Sequence, residues 1–183
     1  MMRSVRLGMV CLAMSLISGG LAGWRVAEAG AKRDEAEGLS VGQRPPAFSV
    51  LDLQGQRQSL KQYRGQVVVL HFWATWCPYC RGEIPKLLQI HEQGSPQGVT
   101  VLAVSVDEDL AQLQAFVQQV GLPYIVIPDA RSPSSVASAY GVRGIPVTYL
   151  LDRDGRIAYR FFGSADLLGA VQHLLARSSE TET

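Results

Sequence analysis

The stretch Val67-Val68-Val69-Leu70-His71-Phe72-Trp73-Ala74-Thr75-Trp76-Cys77-Pro78-Tyr79-Cys80 decides the fold. Its first half is β-branched and aromatic and almost continuously apolar, the pattern of a strand buried on both faces of a sheet. Its second half starts a helix. Pro78 suits a first helical position, where a missing N–H costs nothing, and Leu87, Leu88 and His91 continue at helical spacing. Two thiols therefore stand one turn apart at a strand-to-helix junction. Cys77 falls at the helix N-terminus, where unpaired amide donors and the positive end of the helix dipole favour thiolate over thiol. Cys80 lies on the same face, a turn deeper. This arrangement suits a dithiol that opens and closes, with Cys77 attacking and Cys80 resolving.

Other uses of a C-x-x-C pair fit the residues less well. A zinc site takes four ligands, but the remaining cysteine is Cys11, and His71, His91 and His173 show no metal-like pairing. No metal is expected. Covalent haem attachment needs a histidine after the second cysteine, where Arg81 stands. A purely structural disulfide over so short a loop constrains the unfolded chain little.

The segment Phe72 to Cys80 resembles the active-site segment of the thioredoxin superfamily. Far downstream, Gly141-Val142-Arg143-Gly144-Ile145-Pro146 resembles the loop in which that family carries a cis-proline facing the dithiol. An X-Pro bond is cis in only about 5% of cases, so the residues alone would make Ile145-Pro146 trans; the resemblance implies cis. Pro85 matches the family's kinked active-site helix. The similarity covers residues 40–176 and implies a thioredoxin-like α/β fold, a central mixed sheet flanked by helices. Pro46-Ala47-Phe48, Tyr63-Arg64-Gly65, Glu83 and the apolar N-terminus resemble the membrane-associated TlpA-like and ResA-like branch, which includes the cytochrome c maturation thioredoxins. His71 departs from ordinary thioredoxin, standing where that family has a buried acid; a satisfied core residue is the favoured reading.

The N-terminus carries Arg3 and Arg6 ahead of an uncharged stretch from Leu7 to Trp24. As a helix this spans about 27 Å, just enough to cross a bilayer core. The length and Trp24 favour an uncleaved anchor over residues 1–24, although Ser18-Gly19-Gly20 and Ala27-Glu28-Ala29 also suit a cleaved signal peptide. Either way the domain is expected outside the cytoplasm, anchored to the membrane or soluble in the periplasm. Cys11 then packs in lipid or is discarded. From Arg25 to Pro45 the chain is small, charged and Pro/Gly-containing; residues 25–39 read as a tether, 40–176 as the domain and 177–183 as a polar tail. With 17 basic and 16 acidic residues and no basic run, nucleic-acid binding is not expected.

Across the domain, a strand at residues 100–106 leads into Asp107-Glu108-Asp109 and a helix with Leu110, Leu113, Phe116, Val117 and Val120 on one face, ended by Gly121. A strand at 124–127, a short helix at 134–140, and a hairpin of 147–151 with 156–161 across Asp154-Gly155 follow. Leu167, Leu168, Val171, Leu174 and Leu175 mark a last helix.

The expected chemistry is thiol–disulfide exchange on protein substrates, without a cofactor beyond the Cys77–Cys80 pair. Family resemblance implies that an extended partner segment pairs with the backbone around Ile145 and Pro146, with Trp76, Pro78 and Tyr79 contributing to substrate contact. Trp76 reads equally well as an ordinary half-buried aromatic. Glu83, three residues past Cys80, can accept its proton if burial raises the carboxyl's pKa; the alternative is an acid favoured by the first turns of a helix. The expected direction is reduction, sustained by a membrane electron donor. An oxidase remains an alternative, as does a thiol peroxidase, although the PxxxTxxC-like setting is missing. A non-enzymatic carrier that binds Cu(I) through the two thiolates is a further alternative, although the copper-assembly proteins that resemble thioredoxin carry a wider cysteine spacing and a later histidine, which this chain lacks. A glutaredoxin shares Cys-Pro-Tyr-Cys, but the Trp73-to-Trp76 lead-in and the Leu102-to-Ile127 region fit the other branch better.

Overall fold

The computed structural model describes residues 37–130, 132–163 and 166–179. The strand predicted from the opening stretch forms the centre of the domain as β3 (Val67–Trp73), and all seven of its residues are buried. Helix α1 (Pro78–Gly94) follows directly, then β4 (Val99–Ser105), α2 (Leu110–Val120), β5 (Ile125–Pro128), the single turn α3 (Val136–Ala139), β6 (Val147–Leu151), β7 (Ile157–Phe162) and α4 (Leu167–Ser179). These strands make a five-stranded sheet in the order β5-β4-β3-β6-β7. β3 runs parallel to β4 and antiparallel to β6, so the sheet is mixed.

Alternation along β3 divides the core. Phe72 points to one face, where its ring meets Tyr140 at 5.4 Å and Tyr149 at 6.2 Å between centroids. His71 points to the other, toward α1. Because β3 is covered on both faces, it carries apolar residues in succession rather than alternating with polar ones. The β6–β7 hairpin turns at Asp154-Gly155 as the sequence suggests. Gly155 has φ +69°, which a side chain would resist, and the Asp152 carboxylate accepts the Arg156 N–H at 2.8 Å.

Several expectations shift. A short hairpin not foreseen from the residues, β1 (Ser49–Leu51) with β2 (Arg57–Ser59), precedes the sheet. Residues 37–39 belong to the fold rather than to a tether: Glu37 bridges to Arg44, and the Gly38 N–H donates to the Arg44 carbonyl at 2.8 Å. α4 runs to Ser179, past the expected start of the tail. The buried stripe of α1 is Cys80, Glu83, Ile84, Leu87, Ile90 and Gly94, whereas Leu88 and His91 lie only half-buried beside it. In α2 only Leu113 is buried; Phe116 and Val117 pack half-buried against the core, with the Phe116 ring 5.7 Å from Trp73, and Leu110 and Val120 face solvent. The proposed anchor, the tether up to residue 36, Cys11 and the last four residues lie outside the described residues. Among the described residues no helix is long and apolar enough to cross a membrane.

Candidate active site

At the C-terminal end of β3 the chain leaves the sheet through Ala74, Thr75 and Trp76 and enters α1 with Cys77 as its N-cap. Thr75 holds this turn in place. Its N–H donates to the Asp107 carboxylate at 2.9 Å and its hydroxyl donates at 2.6 Å. Ser105 binds the same carboxylate at 2.6 Å through its hydroxyl. Asp107 is buried just past β4, so a carboxylate stripped of water is compensated by three donors that fix the approach to the cysteines. The sequence placed Asp107 with Glu108 and Asp109 as a helix start. Asp109 alone caps α2, through the Gln112 N–H at 3.0 Å; nothing in the acidic triplet marks its first member as pointing inward.

Cys77 and Cys80 are joined by a disulfide, with Cα atoms 5.3 Å apart, an ordinary span for such a bond. The Cys80 N–H donates to Cys77 Sγ at 3.2 Å. A helix-terminal amide thus points at the leading sulfur, the arrangement that stabilises negative charge there. Pro78 at the first helical position leaves no donor to be wasted. Cys80 is completely buried, while the residues between and before the cysteines stand out: Trp76 is 59% exposed and Tyr79 78%. Trp76 is therefore not the half-buried aromatic that one reading of the sequence gave.

Below the dithiol lies a buried polar cluster. Glu83 is 2% exposed, one turn beyond Cys80 on the same buried face of α1. His71 reaches toward it from β3, with Nδ1 at 3.8 Å from Glu83 Oε2 and 2.9 Å from Thr148 Oγ1 on β6. The other ring nitrogen, Nε2, has no hydrogen-bond partner among the described residues. Burial pushes the His71 pKa down to about 4, so the ring is neutral at ordinary pH. Thr148 was missed in the sequence because it reads as one polar position in an apolar strand. Its register opposite His71 gives it meaning.

The second predicted element lies at the same end of the sheet. Phe72 pairs with Val147, so the residues just before β6 sit beside those just after β3. The Ile145-Pro146 bond there is cis. Pro146 is buried and Ile145 half-buried. The structure thus gathers Trp76, Cys77, Pro78, Tyr79, Cys80, Ile145 and Pro146 at one edge, with Glu83 below. Among the described residues no group of three histidine, cysteine or acidic side chains is placed to hold a metal.

Residues 41–160 match the model of the AhpC/TSA family. The chain belongs to the AhpC/TSA family. Its AhpC/TSA region includes the strand-to-helix junction, both cysteines and the cis-proline. Over 140 residues the chain is 34% identical to the thiol-disulfide oxidoreductase ResA of Geobacillus thermodenitrificans, covering 76% of this chain and 79% of that one. Over 129 residues it is 33% identical to ResA of Bacillus anthracis, covering 70% and 73%. Among solved structures it is similar to the thioredoxin domain of a thiol-disulfide oxidoreductase from Bacteroides vulgatus, with a TM-score of 0.68, 26% identity, and 75% and 99% of the two chains covered. It is also similar to a secreted thiol-disulfide isomerase from Corynebacterium glutamicum, with a TM-score of 0.64, 32% identity, and 72% and 84% covered. The fold is thioredoxin-like, and this AhpC/TSA protein is a thiol-disulfide oxidoreductase acting on protein thiols.

Proposed function

We propose that the protein is an extracytoplasmic reductant of protein disulfides, of the kind used in cytochrome c maturation, working through Cys77 and Cys80 with Glu83 as proton acceptor. One observation carries the reading: a sulfur at a helix tip that receives an amide hydrogen bond, next to a second sulfur wholly withdrawn from solvent and one turn from a buried carboxyl. In the reduced state, the Cys77 thiolate attacks one sulfur of a partner disulfide. The partner S–S bond breaks, its departing sulfur leaves as a thiolate that takes a proton, and a Cys77–partner disulfide forms. Cys80 then gives its proton to Glu83 and attacks Cys77 Sγ. The Cys77–Cys80 bond closes and the second partner sulfur leaves, so two electrons pass from this dithiol to the partner. A dithiol on a membrane electron-donor protein reopens the pair.

Support for an extracytoplasmic setting comes from Arg3, Arg6 and the uncharged run to Trp24, and from the similarity to a secreted thiol-disulfide isomerase. His71 is not a conduit in this scheme, since a proton reaching its Nε2 has no described partner to leave by. The direction is tested by the reduction potential and the redox state in cells. Superfamily values run from roughly −270 to −120 mV, and a value toward the reducing end with a mostly dithiol form in cells is expected. A potential near −120 mV with a mostly disulfide form in cells contradicts reduction and supports an oxidase. Trapping on the C80A variant identifies the partner as a stalled Cys77 mixed disulfide.

A further inference from the structure

We propose that Arg143 and Arg160 form a carboxylate-binding pocket beside the dithiol, so that preferred protein substrates carry an acidic residue a few positions from the reacting cysteine. The inference names a substrate class and rests on the exchange reaction above.

Strand register places the pocket. Cys77 lies just past the end of β3; Ile145 and Pro146 precede β6, the next strand; Phe162, which pairs with Val147, ends β7, one strand further. The Gly163 N–H donates to the Pro146 carbonyl at 2.9 Å and ties the end of β7 to the cis-proline. Neighbouring strands lie about 4.8 Å apart, so the end of β7 stands roughly 10 Å from the dithiol's strand. An extended substrate advances about 3.3 Å per residue and crosses that gap in about three residues. There, Arg143, Gly144, Ile145, Pro146, Arg160 and Phe162 line a concave surface.

Among the described residues the side chain of neither cation in it has an ion-pair or hydrogen-bond partner. The Arg160 guanidinium is held over the rings of Phe162, at 4.4 Å, and Tyr149, at 5.1 Å, and its Nε is shut off from solvent without a hydrogen bond. A guanidinium fixed on aromatic faces keeps its donor edge for a planar anion, and a carboxylate fits that fork. Across the dithiol the charge reverses, because Glu108 and Asp109 flank Trp76 on the β4 side. The site therefore has a polarity along the direction in which a substrate lies, which orients one partner and rejects its mirror arrangement.

The experiment uses the full chain and a set of disulfide-bridged peptides identical except at one residue, Asp, Asn or Lys, placed in turn at each of the three positions on either side of the reacting cysteine. At one or two positions on one side, Asp is expected to raise kcat/KM about five- to tenfold over Asn and Lys to lower it, an advantage that shrinks with added salt. R143Q and R160Q should each reduce the Asp-to-Asn ratio, and R143E should turn it in favour of Lys. Arg143 is exposed, so its variants test the pocket even if R160Q disturbs the Phe162 packing. Equal rates for Asp and Asn at every position, or a preference untouched by R143E, would overturn the pocket while leaving exchange intact. Failure of every peptide to exchange would overturn the exchange reaction and the pocket with it.

Discussion

Beneath the Cys77–Cys80 pair the protein is closed and polar; around the pair it is open, aromatic and charged. The floor consists of Glu83, His71 and Thr148, all buried. The rim consists of Trp76 and Tyr79, both exposed, with Arg143 and Arg160 to one side and Glu108 and Asp109 to the other. The difference separates two tasks that one dithiol must perform. Proton affinity is set where water is excluded, because a low-dielectric site amplifies each interaction with charge. Partner choice is set where a second protein can reach. Floor substitutions should therefore alter pH dependence for every substrate, and rim substitutions should alter kcat/KM for proteins but not for a small disulfide.

The largest effect is expected at the pair itself. C77S should lower exchange on the order of a thousandfold or more by removing the nucleophile, measured with any protein disulfide. A residual rate within tenfold of wild type would transfer the attack to Cys80 and break the distinction between open and closed sulfurs. Next comes H71N, read in stability rather than activity. His71 titrates near 4 when folded and near 6.5 when unfolded, so the unfolded chain binds the extra proton between those values. Stability is full above pH 6.5 and falls as pH drops toward 4, by on the order of 3 kcal/mol from this residue. Denaturant unfolding across that window should show the slope in wild type and its loss in H71N; equal slopes would place a titrating group elsewhere.

E83Q should slow closure of the pair about a hundredfold, at the lower end of what a positioned base supplies, and should flatten the pH profile of that step. An unchanged rate and profile would return Glu83 to the role of a buried structural acid. W76A and Y79A sharpen the comparison with the smallest effects: about three- to tenfold lower kcat/KM on protein disulfides and little change with a small-molecule disulfide. A loss equal for both would show that these rings support the fold of the junction rather than contact partners.

The opening stretch made the centre of this molecule legible because two rules converge there: an apolar run too continuous for a half-exposed strand, and a proline directly after a cysteine where a helix must begin. The order of strands and helices followed from the same logic. What stayed hidden depended on side chains meeting across the sheet. Asp107 read as one of three acids suited to a helix start, and its place under Thr75 arises from the path of the chain after β4. His71 had no visible partner until β6 paired with β3 and brought Thr148 opposite. The α2 stripe was read too wide, since spacing reveals which residues share a face but not how much of that face the sheet covers. The Arg143–Arg160 juxtaposition is likewise a product of register, with the two residues 17 positions apart in sequence. The cis state of Ile145-Pro146 came from resemblance, as local chemistry favours trans.

The account turns on the acidity of Cys77 in the reduced protein. Alkylation rate against pH, with the modified cysteine identified by peptide mass, reads it directly. The predicted result is a midpoint below the value of about 8.5 for a free thiol, with modification confined to Cys77 and the enclosed Cys80 untouched. A midpoint at or above 8.5, or Cys80 reacting as fast as Cys77, would contradict it.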